Sequence, residues 1–161
     1  MPPAVVAGGM HYREVEGTRE FVARLETGRD WRAEIERLAE QADLDAAFFV
    51  GLGAVMDAEV WFYDQDAGEY DAVEFDEPLE VAACVGNVSW LDDADGEGPP
   101  RKSPTAERFA HTHAVLSRES GQALAGHLDA ATVFAGELYV RAFATPLERA
   151  HDETTDLDLW L

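Results

Sequence analysis

Three of the five histidines in this 161-residue chain lie within 17 positions of one another. His111 and His113 are separated by one residue in an alternating stretch, and His127 directly follows Gly126. If residues 107–117 form a β-strand, side chains two residues apart point to the same face, and the two imidazoles lie side by side. A turn at Gly126 would bring the third imidazole to them. Three imidazoles are the ligand set of an open metal site, which leaves a coordination position for water or substrate.

The same spacing has a second interpretation, in which the strand histidines form hydrogen bonds at a contact between subunits. Two acids are candidates for a general base beside a metal, Glu80 and Glu137, because each interrupts an apolar strand. Each acid could equally be buried or at an interface, paired with an arginine such as Arg141. The residues alone therefore leave open a metal-dependent enzyme, a small-ligand binder and a structural histidine cluster.

The charge of the chain indicates its solvent more than its function. The formal net charge is −21, from 33 acidic and 12 basic residues, and Lys102 is the one lysine. A domain this acidic repels itself in dilute buffer, whereas molar salt shortens the Debye length to about 3 Å and screens the repulsion. The acids are spread along the chain rather than gathered in a tail, which favours a halophilic protein over an acidic binding tail. The same charge disfavours direct binding to the DNA backbone, which requires a basic face.

The composition predicts a single globular domain. An apolar content of 47% and a length of 161 residues suit one hydrophobic core. No apolar run is long enough for a transmembrane helix, and the first residues lack the basic region of a secretory signal. The single cysteine, Cys84, excludes an internal disulfide, so the expected location is a reducing cytoplasm.

Hydrophobic periodicity predicts one helix and a sheet. Asp30 is the expected N-cap of a helix whose apolar stripe is formed by Trp31, Ile35, Leu38, Ala39 and Ala42. The strand-like runs are residues 11–15, 20–25, 46–50, 57–63, 70–75, 79–90, 107–117 and 132–144. With no βαβ rhythm, the predicted fold class is α+β: a mainly antiparallel, twisted sheet of about seven strands packed with one main helix.

The predicted boundaries are a flexible leader at residues 1–9, a domain at 10–146 and an acidic C-terminal tail at 147–161. The tail would dock on the body, dock on a neighbouring subunit or remain loose.

Gly51-x-Gly53 lacks the further residues of a phosphate loop, so it indicates a bend or bulge. The loop at 92–105 contains Asp92, Asp93, Asp95 and Glu97, but their spacing departs from the EF-hand and favours a solvated loop.

Three stretches together carry a family resemblance. The first is Gly51-Leu52-Gly53-Ala54-Val55 with the hairpin at 63–70, and the second runs from Glu77-Pro78-Leu79 through Gly86-Asn87-Val88. The third is the most specific and joins His111-Thr112-His113, Gly121, Gly126-His127-Leu128 and Glu137. With these motifs the chain resembles the Plants and Prokaryotes Conserved (PPC) domain over about residues 18–145. It departs from the family at Ala125, where a second glycine is usual.

The resemblance implies an α+β domain that assembles as a homotrimer, with the histidines near subunit contacts. It also implies that His111, His113 and His127 are metal ligands, with zinc favoured for imidazole. Plant members join the domain to AT-hook segments that bind DNA, and prokaryotic relatives are often described as DNA-binding by analogy. This chain has no Arg-Gly-Arg-Pro core and no basic arm. The expected role is therefore regulatory, DNA-associated or scaffolding, through a protein partner rather than through direct contact with DNA.

Overall fold

Ten strands and one helix are formed by residues 5–7, 10–91 and 108–160, which are the residues described by the computed structural model. In chain order they are β1 (Val5–Ala7), β2 (Met10–Tyr12), β3 (Gly17–Leu25), α1 (Trp31–Gln41), β4 (Ala47–Asp64), β5 (Glu69–Phe75), β6 (Leu79–Leu91), β7 (Arg108–Ser117), β8 (Ala123–Phe143), β9 (Glu148–Asp152) and β10 (Leu157–Trp160). The predicted α+β class is confirmed, although the main sheet has eight strands rather than about seven. It is also mixed, because β9 runs parallel to β6.

The helix follows its sequence pattern closely. Asp30 caps it, since its carboxylate accepts a hydrogen bond from the Ala33 backbone N–H at 2.8 Å. The stripe that begins at Trp31 and Ile35 is buried against β7 and β8. The helix therefore supports the back of the two strands that carry the histidines.

The sheet is organised by two long strands, β4 and β8, which pair with each other along most of their length. β6 pairs with β4 and with β7, and β7 pairs with β8, so these four strands close into a ring. The separation of residues 46–50 and 57–63 into two strands is therefore wrong, and so is the turn predicted at Gly126, because β4 and β8 continue through these positions. The bulge predicted at Gly51-x-Gly53 is confirmed by a shift in the register with β6. At Gly53, with φ of 152°, a Cβ would lie 2.1 Å from the Ala135 carbonyl oxygen, so glycine permits close backbone approach there.

The segment predicted as a tail docks on the body of the domain. Strands β9 and β10 form an antiparallel hairpin, and β9 pairs with the end of β6 at Trp90 and Leu91. The hairpin brings Arg149 to β6 and β7, as described below. The acidic loop with Asp92, Asp93, Asp95 and Glu97 lies outside the described residues. No helix in the described part of the chain is long and apolar enough to cross a membrane.

Candidate metal centre

The three histidines predicted as ligands lie together on two neighbouring strands. His111 and His113 are on β7, and His127 is the direct cross-strand partner of His113 on β8. The ring centroids are separated by 5.1 Å for His111 and His113, 5.1 Å for His111 and His127, and 5.5 Å for His113 and His127. One ring nitrogen from each side chain lies within 4.8 Å of the other two. The turn at 118–122, rather than a turn at Gly126, sets this register, because there the Arg118 N–H donates to the Gln122 carbonyl.

His127 provides the test of whether a metal fits this cluster. Its side chain is only 5% exposed, and neither ring nitrogen has a hydrogen-bond partner. Buried polar atoms in proteins are almost always satisfied, so an orphaned buried imidazole requires a partner. A divalent metal shared with His111 and His113 would supply that partner, and the three residues therefore fit a metal ion.

His111 is held from the other side by the C-terminal hairpin. Nη2 of Arg149, on β9, lies 3.0 Å from its Nδ1. The same guanidinium donates to Asn87 Oδ1 at 2.7 Å, to Ser89 Oγ at 3.1 Å and to the Asp158 carbonyl oxygen at 2.8 Å. Burial lowers the pKa of Arg149 to about 10, so the group stays cationic at neutral pH.

The surroundings keep all three imidazoles neutral. Burial, followed by the positive charge of Arg149, lowers the pKa of His111 to about 2. Burial, followed by the charge of Arg32, lowers the pKa of His127 to about 3, and burial also lowers the pKa of His113. Because a metal binds only the lone pair of an unprotonated nitrogen, these shifts favour metal binding at neutral and mildly acidic pH.

The metal-free protein is expected to lose stability as the pH falls below about 6.5. In the unfolded chain His111 and His127 take up protons near that pH, whereas in the folded chain they remain neutral down to about 2 and 3. Each buried histidine then costs about 1.4 kcal/mol of unfolding free energy per pH unit. Urea unfolding in the presence of EDTA at pH 7 and pH 5.5 measures the slope. A His127→Leu variant should show a shallower slope, whereas His11→Leu, at an exposed site, should match the wild type. Equal slopes in all three proteins would contradict the prediction.

The structure does not bring the candidate acids Glu80 and Glu137 to the histidines. Both are exposed. Glu80 lies five residues before Val85, the strand partner of His113, which is about 16 Å at 3.3 Å per residue. Glu137 lies ten residues beyond His127 on β8, opposite Leu52.

A buried pair of an acid and an arginine was the alternative prediction for Glu80 and Glu137. Such a pairing exists, but other residues form it. Arg32 Nη1 lies 3.0 Å from Asp129 Oδ1, and Arg32 Nη2 lies 3.8 Å from Glu36 Oε1, with all three side chains buried. Sequence reasoning missed this cluster, and it also missed Arg149. The Arg32 cluster could have been found from the two-residue period of a strand, because Asp129 lies two residues after His127. No local pattern indicated the role of Arg149, because its position depends on the docking of the hairpin.

A row of exposed apolar side chains crosses the sheet and ends at the histidines. The directly paired residues are Val22, Tyr139, Val50, Val85 and His113, in that order across β3, β8, β4, β6 and β7. The first four are exposed, from 39% for Tyr139 to 87% for Val22. We call these four residues the apolar row. Because cross-strand partners share a face, whatever covers the apolar row approaches His113.

Comparisons with known proteins agree with the family resemblance and the fold. Residues 12–144 match the family described as the Plants and Prokaryotes Conserved (PCC) domain. The structure is similar to that of a metal-containing protein from Archaeoglobus fulgidus, with 37% sequence identity, a TM-score of 0.82, and 94% of this chain and 99% of the other covered. No curated protein matches the sequence.

Two further similarities concern the fold alone. A plant- and prokaryote-conserved protein from Pyrococcus horikoshii has 22% identity and a TM-score of 0.80, with 98% of this chain and 97% of the other covered. A proposed DNA-binding protein from Ralstonia eutropha has 22% identity and a TM-score of 0.74, with 87% and 89% covered.

Proposed function

The chain belongs to the Plants and Prokaryotes Conserved domain family, and from this premise we propose that it binds one divalent metal ion, zinc, through His111, His113 and His127. The observation that carries the proposal is the buried His127 ring, whose two nitrogens lack partners while two further imidazoles lie beside it. The metal-containing protein from Archaeoglobus fulgidus, at 37% identity, supports it. Imidazole ligands favour zinc among the common divalent ions of proteins.

The chemistry of such a site follows from the charge of its ligands. Three neutral imidazoles leave zinc its full positive charge, with which it can lower the pKa of a bound water toward about 7. The chain's own contribution is to keep the imidazoles unprotonated by burial and to hold His111 on β7, where its strand partner on β6 is Asn87. His113 is exposed, so small molecules can reach the cluster. That exposure favours a metal-dependent enzyme or small-ligand binder as the second candidate function.

Elemental analysis of the purified protein in molar potassium chloride tests the proposal. We expect close to one zinc ion per chain in the wild type and almost none in a His111→Ala, His113→Ala double variant. A His11→Ala, His151→Ala variant removes the same number of imidazoles from exposed positions and should retain the metal. Equal metal contents in the two double variants, or no metal in the wild type, would show that the cluster is structural.

We propose that the protein works as a homotrimer through the apolar row. Scattered exposed apolar side chains are ordinary, but a contiguous row across four strands indicates an interaction surface. Val22, at 87% exposed, and Val50, at 41%, would be covered by a second subunit. The row ends at His113, so this assembly would place the metal centre beside a contact between subunits.

The role that fits this assembly is a regulatory or scaffold domain that acts through protein partners. With a net charge of −21, direct binding to DNA is disfavoured even in a family with a proposed DNA-binding relative. The same charge supports a salt-rich cytoplasm as the working environment, where screening removes much of the self-repulsion.

A further inference from the structure

Arg149 is a buried cation whose hydrogen-bond partners are all neutral groups. It is 8% exposed, and its guanidinium donates to a hydroxyl, an amide oxygen, a backbone carbonyl and an imidazole. Among the described residues no carboxylate lies within salt-bridge distance of it. The Asp158 carboxylate, which lies 3.9 Å from His151, attracts the guanidinium only from a longer distance. By contrast, Arg32 is also buried but is paired with Asp129. A buried charge with no counter-ion in contact is costly, so an anion that reached the Arg149 guanidinium would be stabilised there.

The hydrogen bond from Arg149 to His111 can form only while no metal is bound to His111. Arginine can only donate, so Nδ1 of His111 must carry the lone pair of the neutral ring and Nε2 must carry the proton. A metal bound through Nδ1 would take this lone pair. A metal bound through Nε2 would move the proton to Nδ1, where it would face the guanidinium. In either case, metal binding removes the hydrogen bond between these two side chains.

The loss of that bond leaves a buried guanidinium N–H without an acceptor, next to a metal with an open coordination position. An unsatisfied buried donor is destabilising, and more so when it is charged. An oxyanion would satisfy both groups, because its oxygens can bind a metal and match the fork of N–H donors of arginine. The neighbouring side chains of Asn87 and Ser89 cannot replace the lost acceptor, because they already accept hydrogen bonds from other N–H groups of the guanidinium.

We propose that the metal centre binds an oxyanion, a carboxylate or a tetrahedral phosphate-like group, between the metal and Arg149. This inference rests on the proposed metal site and adds to it the class of ligand. It also makes Arg149, from a hairpin beyond the residues matched by the family, the determinant of that class in this chain.

Cobalt titration with and without oxyanion tests the inference. Co²⁺ replaces zinc as a visible probe, the affinity is measured by absorption in constant molar potassium chloride, and acetate and sulfate are added in separate series. In the wild type we expect at least one of the two oxyanions to tighten cobalt binding about tenfold or more. By linkage, the metal tightens binding of the oxyanion by the same factor. The series that responds identifies a carboxylate or a tetrahedral ligand.

Three variants make the result specific. Arg149→Met keeps an unbranched side chain beside Phe109 but removes the charge and the donors, and should abolish the oxyanion effect. Arg149→Lys keeps the charge without the fork and should retain part of it. Arg141→Met removes the same charge from an exposed position on β8 and should behave as the wild type.

The outcomes separate this inference from the proposed function. If cobalt binds the wild type and is lost in His111→Ala, His113→Ala, but neither oxyanion changes the affinity, the metal site stands and the oxyanion proposal is wrong. Retention of the full effect in Arg149→Met would also overturn it. If the wild type binds no cobalt, both proposals fail together.

Discussion

Replacing His127 with leucine is expected to weaken zinc binding roughly 100- to 1,000-fold while leaving the metal-free protein at least as stable as the wild type. The affinity falls because one of three ligands is removed, and structural zinc sites gain about 3 kcal/mol or more from each ligand. The metal-free variant should not lose stability relative to the wild type, because the imidazole that it lacks is buried with both nitrogens unsatisfied. Replacing an unsatisfied polar group by an apolar group of similar volume is neutral or favourable.

His113→Leu is the matched control for this prediction. It removes the cross-strand partner of His127 from an exposed position, so it should lower the affinity similarly without any gain in stability. Competition with a chromophoric chelator measures the affinity, and urea unfolding in EDTA measures the stability. If His127→Leu destabilised the metal-free protein by about 2 kcal/mol or more, His127 would be part of the core rather than a ligand held ready for a metal.

The helix and the pair of histidines on β7 could be predicted because both depend on local periodicity. A 3.6-residue period places Trp31 and Ile35 on one face, and a two-residue period places His111 and His113 together. These features of the site therefore follow from the sequence with few assumptions.

His127 lies beside His111 and His113, but not for the reason that the sequence suggested. Gly126 was interpreted as a turn, but it lies inside a continuous strand, where a Cβ would approach the Trp61 carbonyl oxygen at 3.1 Å. Glycine is favoured both by turns and by close backbone approach, and the local sequence does not distinguish them. The pairing of β4 with β8, which is a long-range contact, decides between the two.

Arg149 shows the limit of sequence reasoning for this site. Its side chain reaches His111 from 38 residues away, through a hairpin that pairs with β6 at two positions. An arginine in an acidic tail is ordinarily solvated, and nothing nearby in sequence indicates otherwise. A residue that contacts the histidine cluster can therefore lie outside the segment that the family model matches.

Changing Val50 to aspartate is expected to convert the proposed homotrimer into monomers. Val50 lies in the middle of the apolar row, between Tyr139 and Val85, and is 41% exposed in the single chain. In a monomer the carboxylate remains in water and costs little. In a trimer three uncompensated carboxylates would be buried, at several kcal/mol each. Light scattering in molar salt should show a mass near three times 17.7 kDa for the wild type and near 17.7 kDa for the variant.

Val73→Asp provides the control, because this valine is 47% exposed on β5 and lies outside the apolar row. It should leave the mass unchanged, whereas a trimeric Val50→Asp protein or a monomeric wild type would contradict the proposed interface.

The metal content of the Val50→Asp monomer then shows whether the metal centre depends on the contact between subunits. Because the apolar row ends at His113, loss of zinc on dissociation would mean that the neighbouring subunit completes or shields the centre. Retention of zinc would mean that the three histidines of one chain are sufficient, and that the interface supports the site without forming it.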